Sequence, residues 1–269
     1  MDWHIGCSGF YYRHWKNTFY PEGLAQKRWF EFYAGQFRTL ELNVTFYRFP
    51  QLSMLRTWYE KAPAEFRFAL KAPKAITHFK QFHGTVDMIT SFYDTIRNGL
   101  QEKLGPVLFQ FPPRFHYDEE RLARVLAQLD PSFSNVLEFR HPGWWQEDVY
   151  SRLRERGVSF CGMSHPELPD EPVVTGPVVY YRFHGVPDVY RSSYSDAQLR
   201  NLPMRLIQNR KSGKHGVILT MTRQWQLFPT QSPYCNFRLS TERLINRATE
   251  AALTVGLFYS VSAAAASFT

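Results

Sequence analysis

A chain of 269 residues with 44% hydrophobic content suits one large domain or two small ones, with enough apolar residues for a sizeable core. The net charge of +8 permits a nucleic-acid or phosphorylated partner, but no Lys/Arg run is long enough to be a binding tail. The densest run, Arg210-Lys211-Ser212-Gly213-Lys214, reads as a solvated loop.

Cys7, Cys161 and Cys235 lack metal-ligand spacing and suggest reduced thiols in a cytoplasmic protein. The first strand pattern begins almost at once, with no basic-then-apolar leader before it. The uncharged stretch Ala251–Phe268 is rich in Ser and Ala and lacks flanking anchors, which argues against a membrane span.

In chain order, β patterns fall at His4–Ser8, Thr39–Asn43, Arg67–Lys71, Pro106–Gln110, Asn135–Arg140, Val158–Met163 and Val178–His184. Helical patterns lie between them. Leu24–Phe37 carries helical spacing, and Met54–Lys61 follows Pro50. Thr85–Leu104 is predicted to stop at Gly105-Pro106. Asp118–Leu129 opens on an Asp cap, Asp148–Arg156 ends at Gly157, and Ser195 opens a capping box for Asp196–Gln208.

Strand and helix alternate seven times without a composition break, which predicts parallel β/α units in one α/β domain. One further unit closes an eight-stranded TIM-type barrel, whose sites lie at the C-terminal strand ends. A doubly wound sheet is the runner-up, but Gly6-Cys7-Ser8-Gly9 lacks the third glycine of a dinucleotide loop.

The predicted strand ends carry Ser8, Glu41, Asn43, Lys71, Gln110, Glu138, Arg140, Arg182 and His184. In the run Thr39–Tyr47, period two places Glu41, Asn43 and Thr45 on one face. Inward carboxylates are costly unless satisfied or used. Glu41 and Glu138 are therefore the candidate catalytic acid/base pair, against the alternative that Lys71, Arg140 or Arg182 neutralises each of them. Lys71, Arg140, Arg182 and His184 form a candidate anion grip, with Asn43, Gln110 and Tyr47 as further substrate contacts. Tyr47 offers a hydroxyl or a stacking face. Arg191, in the loop after the seventh strand, is a candidate second anion contact. His78, His141 and His184 with Glu138 suit a divalent metal, but no two of these histidines have local ligand spacing. Ser8 sits in Cys-Ser-Gly and not in a nucleophile elbow.

Several of these residues belong to ordered motifs: Ile5-Gly6-Cys7-Ser8-Gly9-Phe10 with Trp15 and Phe19-Tyr20-Pro21; Glu41 through Tyr47; Lys71-Ala72-Pro73-Lys74 with Ile76-Thr77-His78; Gln110-Phe111-Pro112-Pro113; Glu138-Phe139-Arg140-His141-Pro142 with Trp144; and Arg182-Phe183-His184-Gly185. Together they resemble the domain of unknown function 72 (YecE-like) family over about residues 4–210. The resemblance implies a β/α barrel and strengthens the site, and it implies no reaction. Phe10 stands where the family pattern has Trp. Gly162-Met163-Ser164 stands where the sixth strand of the pattern ends in an acid.

The larger departure is at the end of the chain. Gly216–Thr222 stands where the pattern has an eighth strand resembling Tyr-Phe-Asn-Asn-Asp. The overlapping frame, built from the last base of each codon and the first two of the next, permits Tyr-Phe from Val217–Leu219 and Asn-Asn from Leu219–Met221. It forces Asp from Met221-Thr222. Residues 217–269 also contain no Asp or Lys and only Glu242 and Glu250 as acids. We read residues 1–216 as the barrel domain and 217–269 as an atypical, out-of-frame segment. The expected barrel has an abnormal or replaced eighth strand, and the chain is expected to be impaired relative to its family.

The leading functional expectation is a hydrolase-like barrel enzyme acting on an anionic or phosphorylated small molecule, with a divalent metal as an open cofactor question. Alternatives are a nucleic-acid-binding protein or nuclease, and a non-catalytic anion-binding barrel. The Glu138→Gln variant is expected to fold and to lose turnover.

The nucleotide sequence across codons 200–235 tests the frame reading. A one-base correction should open the Asn-Asn-Asp frame. Stop codons in that frame would make the present C-terminal segment genuine.

Overall fold

The computed structural model describes residues 2–190, 192, 194 and 216–221. Eight parallel strands close a barrel in sequence order. They are β1 (Asp2–Cys7), β2 (Thr39–Leu42), β3 (Arg67–Lys71), β4 (Leu104–Gln110), β5 (Asn135–Glu138), β6 (Ser159–Ser164), β7 (Val178–Phe183) and β8 (Gly216–Met221). Closure excludes the doubly wound alternative. The helices between them are α1 (Trp29–Ala34), α2 (Val44–Tyr47), α3 (Leu52–Lys61), α4 (Val86–Leu100), α5 (Glu119–Leu126) and α6 (Glu147–Glu155).

The expected strands all form, with shifted ends. The second is shorter than its alternation suggests, because the chain turns into α2 directly after Asn43. Thr45 consequently leaves the face of Glu41. Its hydroxyl lies 3.0 Å from the Leu42 carbonyl and 2.6 Å from that of Lys71, tying β2 to β3. The expected stop of α4 at Gly105-Pro106 is also displaced. The helix ends at Leu100, where Gln101 takes a φ of 49°, and Gly105-Pro106 lies inside β4. The β3–β4 ladder passes from Phe68↔Leu104 to Leu70↔Val107, so β4 carries an extra residue there. A proline without an N–H is accommodated at such a bulge. Asp118 caps α5 as expected, accepting from the Arg121 amide at 3.1 Å.

Gly216–Met221 occupies the eighth position, paired along its length with β1 and with β7. The expected helix Asp196–Gln208, Arg191, Cys235 and Ala251–Phe268 lie outside the described residues. Among the described residues no helix is long and apolar enough to cross a membrane. Cys7 and Cys161 are buried free thiols.

Side chains alternate in and out along each strand and so divide the core. The larger cluster holds Leu40, Phe68, Phe109 and Phe160 together with helix residues such as Trp29 and Phe92, and it fills the layer between sheet and helices. The smaller one, Ala69, Leu108, Val136, Cys161 and Tyr180, fills the lumen. A residue two positions beyond a lumen residue also faces inward, nearer the mouth. That rule brings Lys71, Gln110, Glu138 and Arg182 together above the apolar lumen layer. Glu41 joins them, paired in register with Ala69.

The β1–β2 ladder has only two register pairs, Gly6↔Thr39 and Cys7↔Leu40. Tyr33 from α1 reinforces it, accepting from the Cys7 amide and donating to the Thr39 carbonyl, each at 2.8 Å. A Cβ on Gly6 would stand 2.1 Å from the Thr39 carbonyl oxygen. Gly6→Ala is therefore expected to destabilise the fold by about 1–3 kcal/mol or more, read by urea denaturation. An unchanged midpoint would show that β1 and β2 can separate at no cost.

Candidate functional site

The mouth of the barrel is organised by one guanidinium. Arg182 on β7 donates from Nη2 to Glu41 Oε1 on β2 and from Nη1 to Glu138 Oε2 on β5, both at 2.6 Å. Tyr180, one layer below, donates to Glu41 Oε2 at 2.8 Å. Arg140, just past β5, donates from Nε to Glu138 Oε1. Both carboxylates are fully buried, and Arg182 is 3% exposed. Such charges persist in an interior only when paired and hydrogen-bonded, and these are.

Burial alone would push the Glu138 carboxyl up. The charges of Arg140 and Arg182, with Lys71, outweigh burial and hold it well below the usual carboxylate range. Glu138 is thus an ionised group at any physiological pH. Arg140 also reaches His184, with Nη2 2.9 Å from Nε2. A guanidinium can only donate, so Nε2 must accept and the ring proton sits on Nδ1. Burial, and then Arg140 and Arg182, push the imidazole well below its ordinary pKa, so His184 is neutral. It is therefore no cationic arm of the grip, as the sequence suggested, but a neutral hydrogen-bonding group. Among the described residues its buried Nδ1 has no hydrogen-bond partner, and neither has Asn43 Oδ1. Asn43 Nδ2 donates to the Ser8 carbonyl at 3.1 Å, which fixes the amide orientation.

Lys71, at the end of β3, is 8% exposed. Its ammonium donates to Gln110 Oε1 and lies 3.9 Å from the centre of the Phe46 ring. Among the described residues it makes no ion pair. Burial, and then the charge of Arg182, lower its pKa to about 8.

An aromatic stack holds the loops after β4 and β5. Trp144 lies parallel to Phe139 at 4.0 Å and to Phe115 at 5.3 Å, and Phe111 stacks on Phe115 at 4.4 Å. The Trp144 indole donates to the Phe115 carbonyl at 2.6 Å. Buried stacks of this kind immobilise the backbone from which Gln110, Glu138 and Arg140 project.

Glu41, Glu138, Arg140, Arg182 and His184 thus form one network, and Lys71 and Gln110 form a separate pair at the same mouth. Tyr47 joins neither: it is 68% exposed and stands on the rim, 5.6 Å from Lys74 Nζ. The three histidines do not converge either. His141 accepts from the Gly143 amide and stacks on His116, whereas His78 pairs with Thr77. Among the described residues no group of three or more His, Cys, Asp or Glu side chains is placed to hold a metal ion. Sequence reasoning missed Tyr180, because its partner Glu41 is distant in the chain. It also missed Arg114, directly after the Pro112-Pro113 motif. Burial, then Lys71 and Arg114, lower the pKa of His78 to about 4.

The Glu138→Gln expectation also changes. A glutamine would turn an amide N–H₂ toward one of two guanidinium groups, so some loss of stability is expected along with any loss of function.

Fold and mouth define a parallel β/α barrel with a buried, arginine-bridged carboxylate pair at the C-terminal strand ends. The family described as Protein of unknown function DUF72 matches residues 4–242, and the chain belongs to it. That match continues past residue 210, where the motifs end, and past residue 216, where the frame reading sets a break. The UPF0759 protein YecE of Escherichia coli K12 is 29% identical over 144 residues, covering 53% of each chain. The UPF0759 protein YunF of Bacillus subtilis 168 is 27% identical over 168 residues, covering 59% of this chain and 58% of its own. The matched segment thus spans a little over half the length of these curated relatives. A DUF72 family protein of Thermotoga maritima superposes with a TM-score of 0.73 at 23% identity, covering 95% of this chain and 100% of its own. A DUF72 family protein of Enterococcus faecalis gives 0.68 at 19% identity over 91% and 98%.

Removing the bridge should reverse the pH response of stability. Glu138 has a depressed folded pKa, so its contribution is complete above its unfolded value of 4.5 and fades as pH falls below that. Arg182→Met takes the bridging cation from both carboxylates and leaves Arg140 alone to offset Glu138, so buried negative charge goes uncompensated. The variant should lose about 3–5 kcal/mol at pH 7 and regain part of it on acidification, while the wild type only loses stability. Adding Glu41→Gln and Glu138→Gln should restore much of the loss. Parallel pH profiles for wild type and Arg182→Met would refute the bridge.

Proposed function

We propose that the barrel mouth binds an anionic small molecule, phosphorylated or carboxylated, and that the chain is an enzyme acting on it. The observation that carries this reading is the unpaired Lys71. Glu41 and Glu138 consume the charge of Arg182 and Arg140, which leaves the Lys71 ammonium bonded to a neutral amide. A cation held without a counter-charge among the described residues favours an incoming acceptor group. Barrel enzymes carry their chemistry at this end of the strands, which supports turnover by analogy of fold.

The hydrolase-like role for Glu41 and Glu138 has weaker support. Arg182 and Tyr180 occupy the oxygens of Glu41, and Arg182 and Arg140 those of Glu138. In this reading the ionised Glu138 is a base or an electrostatic anchor and not a proton donor. Binding without turnover in an otherwise competent chain would favour the non-catalytic anion-binding barrel.

A second reading, nucleic-acid binding, is favoured by the rim. Tyr47 and Phe79 are 68% and 69% exposed, and Lys74 lies over both rings. Aromatic faces with interleaved cations suit stacked bases. The out-of-frame origin of residues 217–269 is likewise our proposal. On it, the Asn-Asn-Asp side chains are missing from the mouth, and activity belongs to a frame-repaired gene.

Titration calorimetry with inorganic phosphate discriminates among these readings. Lys71→Gln and Arg140→Gln should each weaken binding about tenfold or more, and Tyr47→Ala should not. Affinity for a single-stranded oligonucleotide that falls steeply with salt and with Tyr47→Ala would favour the second reading. Absence of phosphate binding would remove the first.

A further inference from the structure

We propose that Lys71 is an imine-forming nucleophile, and that the mouth takes an anionic aldehyde or keto compound, of which a 2-oxo acid is the simplest case. The inference rests on the anion-binding reading and names a substrate class for it.

The geometry supplies what such an amine needs. Lys71 projects from the end of β3 into the mouth and is almost buried. Its Nζ contacts a neutral amide and an aromatic face, with no carboxylate at ion-pairing distance among the described residues. A carboxylate there would hold the ammonium protonated. Arg182 and Arg140 contribute positive charge to the same site, and each is already fixed by Glu138. Desolvation and neighbouring cations are the two routes by which proteins free a lysine amine. The result is a pKa of about 8, so at pH 7 the neutral fraction exceeds that of an ordinary lysine roughly three-hundredfold.

The chemistry balances without a cofactor. The neutral amine attacks the carbonyl carbon, forming a C–N bond while the carbonyl π pair moves to oxygen. Proton transfer gives a carbinolamine; with one proton taken from solvent its hydroxyl leaves as water, and the nitrogen lone pair forms the C=N bond of a protonated imine. Such an iminium withdraws electrons from the adjacent carbon and suits carbon–carbon cleavage or decarboxylation next to the former carbonyl. His184 Nδ1–H and Asn43 Oδ1, without partners among the described residues, provide a donor and an acceptor for the substrate's polar groups.

The test is reductive trapping on the full chain. Wild type, Lys71→Arg and Lys74→Arg are incubated with glyoxylate and, separately, with uncharged propionaldehyde, each with cyanoborohydride. Hydride addition to C=N fixes the adduct as a secondary amine, which peptide mass mapping locates. Lys71 should be modified at least about tenfold faster than the exposed Lys16, Lys27, Lys61 and Lys80. Its rate should level off above about pH 8, whereas ordinary lysines keep accelerating toward 10.5. The adduct should persist in Lys74→Arg and vanish in Lys71→Arg. Labelling that follows exposure, with Lys71 unmodified, would overturn the proposal.

The two readings fail separately. Equal capture of both aldehydes at Lys71, with no phosphate affinity, would keep the imine and remove the anion grip. Phosphate or glyoxylate affinity shared by wild type and Lys71→Arg, with no adduct, would keep the grip and remove the imine.

Discussion

Everything at the mouth depends on Arg182 reaching across the lumen to two carboxylates. Glu41 lies on β2 and Glu138 on β5, so β7 is tied through one planar group to two other parts of the barrel wall. Without that guanidinium the two buried carboxylates would repel each other. The pair is therefore better understood as a constraint on geometry than as a source of net stability, since desolvating four charged groups offsets most of the Coulombic gain. Its value lies in pre-organisation. The guanidinium fork accepts only one arrangement of the carboxylates, and Tyr180 and Arg140 take the remaining lone pairs.

That arrangement decides the character of each neighbour. Because Arg140 must donate, His184 must accept, and its proton is directed away to Nδ1. Because Glu138 is saturated by arginines, it leaves Lys71 unclaimed. A mouth that looks like a mixed set of acids and bases thus becomes a neutralised frame carrying one desolvated amine and a few polar atoms without partners among the described residues. The frame is rigid on one side, where Phe111, Phe115, Phe139 and Trp144 stack beneath Gln110 and Glu138. On the other side the rim is open and aromatic, at Tyr47 and Phe79.

The barrel was legible because it is a local matter repeated. Each strand announces itself by period two, each helix by its spacing, and alternation implies parallel order. The strand ends then located Glu41, Lys71, Glu138 and Arg182. The failures were also physical. The run from Leu40 to Tyr47 alternates well beyond the strand, but the chain turns at Asn43, and Thr45 is used to bond two backbone carbonyls. Gly105-Pro106 resembles a helix stop because both residues break helices, yet a bulged strand start tolerates them equally. Pairings across the lumen, such as Tyr180 with Glu41 at a separation of 139 residues, leave no periodic trace in the sequence.

The charge of the mouth also explains why one departure from the family pattern matters. In Gly162-Met163-Ser164 the residue that faces the mouth is Met163, two positions past the lumen residue Cys161, fully buried and paired in register with Arg182. A third carboxylate there would balance the third cation and raise the pKa of Lys71 through its charge. With methionine there, the five charged groups of the barrel mouth keep a surplus of one positive charge: Arg182, Arg140 and Lys71 against Glu41 and Glu138. In a medium of low polarity that surplus is not screened. It favours an anionic ligand and disfavours protonation of the amine, and these are the two conditions under which one lysine can both attract and capture a carbonyl anion.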